Sequence, residues 1–137
     1  MSTNFAWNKN FDLQIPSINE EHKEIFARMA QIENLSKNFA DKKAVLAAFD
    51  NLVEYTLEHF QSEEAFMRKI NFPEIETHKK MHADLMAKLD KYRKEYVNSV
   101  YGAFPSSVFD FFQNWLLTHI LIADKRYAEF AKSKATS

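Results

Sequence analysis

The chain has almost no residues that let a backbone turn sharply. Across 137 positions there is one glycine, Gly102, and there are three prolines, Pro16, Pro73 and Pro105. Sheets need frequent tight turns, which glycine and proline supply at low conformational cost. Four such breaks instead divide the chain into a few long elements, and long apolar-periodic elements are helices. Bulky side chains, 13 of them phenylalanine, give those helices a core to bury. The pattern predicts an all-α, up-down-up-down antiparallel four-helix bundle, a single domain over 1–137 with an irregular N-terminal arm over 1–16.

Local signals set the expected limits. The arm carries Phe5, Trp7 and Phe11. Ser17 and Glu20 form a capping-box pattern, which starts a first helix over about 18–38 with Ile18, His22, Ile25, Phe26, Met29 and Ile32 facing inward. Asp41 is placed to cap a second helix over about 41–70. It ends at Asn71, Phe72 and Pro73, because a residue before proline resists helical geometry. Pro73 then suits the first turn of a third helix over about 73–100, with His78, Met81, His82, Leu85, Leu89 and Tyr92 inward. Gly102 and Pro105 mark the last break. Ser106 or Ser107 is placed to cap a fourth helix over about 106–132, carrying Val108, Phe112, Trp115, Leu116, His119 and Ile122 on its inner face.

Composition narrows the function classes. The formal net charge is -1, so no basic face for nucleic acid is expected. Cysteine is absent, which excludes disulfides and thiolate metal sites. The first ten residues lack the charged and then apolar pattern of a signal peptide. The longest apolar stretch, over 115–123, is interrupted by Thr118 and His119 and is too short for a membrane span. A cytoplasmic protein with no nucleic-acid or membrane partner is expected.

Five histidines, His22, His59, His78, His82 and His119, fall on or beside the apolar lines, at least one per helix. One histidine on an apolar face is ordinarily a core residue satisfied by hydrogen bonds. Five together are too costly to bury unless something common satisfies them. A metal does so, and neutral imidazole is the commonest metal ligand. His78 and His82 are four residues apart, as are His59 and Glu63, so each pair shares a helix face one turn apart. The HExxH pattern of zinc proteases is missing. The Glu-x-x-His pattern of ferritin-like di-iron proteins is missing too, since Asn19, Thr56, Ile75, Lys79 and Leu116 stand three before the histidines.

These motifs resemble the hemerythrin family, in particular its single-domain bacterial branch. The run from His59 to Glu64, with Met67, Phe72, Pro73, His78 and His82, is similar to the family's central signature. The run from Trp115 to Ile120, with Asp124 and Tyr127, is similar to its C-terminal one, and 18–22 to its first-helix motif. The resemblance implies two non-haem iron ions joined by an oxo or hydroxo bridge. His78, His82 and His119 would hold one iron, and His22 and His59 the other. Glu63 and Asp124 would bridge them. Filling two octahedral irons this way leaves one open position, on the iron with fewer histidines. Dioxygen would bind there, in a pocket lined by Leu116. Phe60, Trp115 and Ile120 read as mainly structural. Asn19 and Glu21 depart from the Asp and Gln common in the family, which would alter hydrogen bonding or charge around His22.

The resemblance implies reversible dioxygen binding, for storage, transport or delivery to an oxygen-using enzyme, and not catalysis. Two alternatives stay open: a sensor acting through a signalling partner, and a di-iron redox enzyme reducing peroxide or nitric oxide. One structural expectation is sharp. His119 and Asp124 are five residues apart, about 140° on an ideal α-helix, so both face one site only if the fourth helix widens into a π turn.

Overall fold

The computed structural model describes residues 7, 9–38, 41–100 and 104–136; Phe5 and Gly102 lie outside them. A short 3-10 turn, Lys9–Phe11, precedes α1 (Pro16–Lys37), α2 (Lys42–Lys69) and α3 (Ile75–Val97). The fourth helix is continuous but not uniform. It consists of α4 (Ser106–Thr118), a π turn (His119–Asp124) and α5 (Lys125–Thr136). No strand occurs among the described residues. Short connections join consecutive helices into the expected up-down-up-down four-helix bundle.

The first helix starts two residues before the expected point. Pro16 occupies its first turn, where the missing N–H costs nothing and the fixed φ is already helical. Ser17 and Glu20 therefore lie inside α1, and no side chain caps it. The described part of the arm is fastened to the bundle. Gln14, at φ 60°, turns the chain into the helix. Asn19 accepts the Leu13 N–H at 3.0 Å and donates to the Asp12 carboxylate at 2.7 Å. That amide and the Gln14 N–H hold the Asp12 carboxyl below its usual range. Phe11 stacks on Phe26 with ring centroids 5.6 Å apart.

Asp41 caps α2 as expected, its carboxylate accepting the Ala44 N–H at 2.7 Å. Asp41→Ala should cost about 1 kcal/mol of unfolding free energy, read from the shift in a urea midpoint at constant slope. The other end of α2 closes at Asn71, as expected, but through its own backbone conformation rather than through Pro73 alone. Asn71 takes the left-handed conformation at φ 58°. The Phe72 N–H returns to Met67 O at 2.9 Å and the Asn71 N–H to Arg68 O at 3.1 Å, which is the Schellman arrangement. Pro73 consequently sits in the connecting turn, ahead of α3, rather than in its first turn. The third helix ends at Val97, three residues short of the expected limit. Pro105 precedes α4, and neither Ser106 nor Ser107 caps it.

Inside the bundle, Ile25, Phe26, Met29, Ile32, Val45, Leu52, Leu85, Leu89 and Ile120 are 2% exposed or less. Burying one such side chain contributes roughly 1.5–3 kcal/mol before entropy is counted. Two expected inner residues face outward. Met81 is 38% exposed, since α3 buries the line through His78, His82, Leu85 and Leu89 and leaves Met81 at its edge. Ile122 is 58% exposed. In an α-helix the third residue after His119 nearly completes a turn, whereas in the wider π turn it falls further short and points away. Among the described residues, no helix is long and apolar enough to cross a membrane.

Candidate metal centre

The four helices bring all seven expected ligands to one place in the core. His22 comes from α1, His59 and Glu63 from α2, and His78 and His82 from α3. His119 and Asp124 stand at the two ends of the π turn. The exposures are 5% for His119, 3% for His78, 2% for His59 and His82, and 0% for His22, Glu63 and Asp124. The donor atoms form two groups, each within 4.8 Å: Glu63, His78, His82, His119 and Asp124 in one, and His22, His59 and Glu63 in the other. The π turn makes this possible. Its i→i+5 geometry sets Asp124 nearly over His119, as the five-residue spacing demanded.

The two carboxylates lie between the groups. Asp124 Oδ2 is 3.2 Å from His22 Nε2, while Oδ1 is 2.9 Å from His78 Nε2 and 3.0 Å from His119 Nε2. Glu63 Oε1 is 3.2 Å from both His59 Nε2 and His82 Nε2. Proximity is not pairing here. His22 Nδ1 and Nε2, His78 Nε2, Glu63 Oε1 and both Asp124 oxygens are buried with no hydrogen bond of adequate geometry. His82 Nε2 and His119 Nε2 point at each other across 3.1 Å. Buried polar atoms are normally satisfied, and orphaned atoms converging on common points are what a cation would relieve. The imidazole and carboxylate set, without sulfur, suits a first-row metal such as iron. The residues present fit the implied group.

Electrostatics describe the same cluster. Burial opposes charge on His59, but the adjacent Glu63 carboxylate and the hydrogen bond to Glu21 outweigh it and push the imidazolium up to about 10. Burial likewise works against the Glu63 and Asp124 carboxylates. Charged His59 and the nearby ring nitrogens of His22 and His82 still hold Glu63 well below its usual range. His119 and His22 do the same for Asp124, against the added repulsion of Glu63.

Three outer contacts were not legible as such. Tyr127 is fully buried and donates its hydroxyl to Glu63 Oε2 at 2.5 Å, and burial pushes its phenol well above the usual range. Its position three residues after Asp124 was the available signal. Glu64 Oε2 lies 3.0 Å from His82 Nδ1. Glu21 Oε1 lies 2.7 Å from His59 Nδ1, so Glu21 acts on His59 and not on its sequence neighbour His22. Asn19 serves the arm rather than His22. Phe60 lies flat on His82 at 3.7 Å, and Trp115 stacks on His119 at 4.3 Å. Leu116 is 2% exposed, in the last turn of α4 before His119.

Known proteins share this framework. Over 128 residues the chain is 27% identical to a bacteriohemerythrin of Clostridium acetobutylicum, covering 91% of this chain and 99% of that one. It is 28% identical over 123 residues to a myohemerythrin of Riftia pachyptila, covering 90% of each. The crystal structure of a hemerythrin leucine-to-alanine mutant superposes with a TM-score of 0.77 at 22% identity, over 95% of both chains. The family model described as the hemerythrin HHE cation binding domain matches residues 14–131. With nearly the whole chain matched and a buried His, Glu and Asp cluster at its centre, this protein belongs to the hemerythrin family.

Proposed function

We propose that the chain binds dioxygen reversibly at a pair of non-haem iron ions, for storage, transport or delivery. His78, His82 and His119 would hold one iron, His22 and His59 the other, with Glu63 and Asp124 spanning both. The observation that carries this reading is the sharing of Glu63 by two buried donor groups in which His22 Nε2, His78 Nε2, Glu63 Oε1 and both Asp124 oxygens lack hydrogen-bond partners. A ferrous pair bound there would supply an open coordination position and reversible redox chemistry.

The protein's own groups do the rest. Five imidazoles and only two carboxylates make a donor set that is mostly neutral, which keeps the net charge of a loaded site low in a low-dielectric core. Tyr127 occupies Glu63 Oε2 and fixes the tilt of that carboxylate. Phe60 and Trp115 hold the rings of His82 and His119 by stacking. Leu116 presents an apolar side chain one turn from His119 and excludes water.

The test is reversibility. Protein loaded anaerobically with ferrous iron should take up one ion per donor group, two per chain. It should change its absorption spectrum on exposure to oxygen and return to the starting spectrum on purging with argon. A first exposure that leaves the iron permanently ferric overturns the carrier reading in favour of a redox enzyme or a sensor.

A further inference from the structure

The two histidines of the smaller donor group are braced unequally. His22 has neither ring nitrogen hydrogen-bonded, although it is fully buried. His59 has its Nδ1 taken up by Glu21 Oε1 at 2.7 Å, while its Nε2 faces Glu63 inside the cluster. The brace crosses between helices. Glu21 and His22 are successive residues of α1, so their side chains diverge by about 100°. His22 aims into the cluster, and Glu21 reaches across to α2. One turn of α1 therefore carries one donor of this group and the support of the other. The Glu21 side chain is 26% exposed, so it keeps an edge in water and carries its charge at little desolvation cost.

We propose that Glu21 is a positioning residue for the metal held by His22 and His59. By accepting the Nδ1 proton of His59 it fixes the tautomer that leaves Nε2 free for the metal. By placing a negative charge behind the ring it makes His59 the stronger donor of the two. This inference rests on the metal-centre reading above. A carboxylate in this place orients a ligating histidine and raises its basicity, and a more basic ligand favours the higher oxidation state. A neutral amide at the same place would orient the ring without adding the charge. Orientation and charge are thus separable by substitution.

Glu21→Gln keeps an acceptor and removes the charge, whereas Glu21→Leu removes both. Glu20→Gln is the control, since Glu20 is exposed and pairs with Lys23 at 3.0 Å. Two readouts are needed: zinc affinity by competition with a chromophoric chelator, and the reduction potential of the iron-loaded protein by redox titration. Glu21→Leu should weaken the more weakly held zinc by about 10–100-fold. Glu21→Gln should keep most of that affinity and shift the reduction potential in the positive direction, and Glu20→Gln should change neither. A contact that merely ties α1 to α2 would lower the unfolding temperature of both Glu21 variants and leave zinc affinity and potential at the parental values; that result overturns the proposal. Should Glu21→Leu fail to fold, the potential of Glu21→Gln decides alone. A parent that binds no metal sinks the metal-centre reading and this inference together. A parent that binds two zinc ions, with Glu21 variants indistinguishable from it, sinks the inference only.

Discussion

Glu63→Ala should strip the protein of most of its metal. Glu63 belongs to both donor groups, so a single substitution removes a ligand from each. Outer-shell changes at metal sites cost about 10–100-fold in affinity, and loss of a shared ligand should exceed that. Iron per chain, measured colorimetrically after anaerobic loading and desalting, should fall from two to less than one. The metal-free variant should also be less stable. Its His59 loses the buried carboxylate that supports its charge, and breaking a buried pair from one side costs about 3–5 kcal/mol. Far-ultraviolet circular dichroism at low temperature distinguishes a folded variant from a collapsed one. A folded Glu63→Ala protein that keeps both ions removes Glu63 from the ligand set.

Leu116→Asp should leave the iron in place and shorten the life of the ferrous state. None of the proposed ligands is altered, so loading should match the parent. Oxidation of a ferrous centre by dioxygen is completed by proton delivery, and Leu116, buried one turn before His119, is the side chain proposed to wall the open position. An acid in its place would bring both a proton source and water to that position, where a dry surrounding strengthens hydrogen bonds. The rate at which the oxygen-exposed protein turns ferric in air should rise by about tenfold or more, equivalent to about 1.4 kcal/mol of barrier. Leu116→Asn, equal in size but unable to supply an acid proton, separates the effect of water from that of the acid. If neither variant oxidises faster than the parent, Leu116 guards nothing and the sensor or enzyme reading gains.

Periodicity made the inward lines of the helices readable, because an apolar line three and four residues apart is a property of one helix. It also made the π turn readable, since two inward polar residues five apart, His119 and Asp124, contradict a regular helix. Helix starts were harder. Ser17 and Glu20 have the form of a cap, but packing of Phe11 on Phe26 and the Asn19 bond to Leu13 fix the arm so that Pro16 comes first. Contacts between helices were out of reach. That Glu21 meets His59 and Tyr127 meets Glu63 depends on how far each helix is rotated about its axis, which spacing along one chain does not encode.

Six of the seven proposed ligands come as pairs within single helices: His59 with Glu63, His78 with His82, His119 with Asp124. None lies in the connecting segments 38–41, 70–74 and 98–105. Those connections can therefore gain or lose residues without disturbing any pair, whereas one residue inserted inside a pair swings a member about 100° out of line. Divergence in such a chain is constrained by intervals more than by the identity of the residues that fill them. A relative sharing 27% of its residues over 91% of the chain is what that kind of constraint permits.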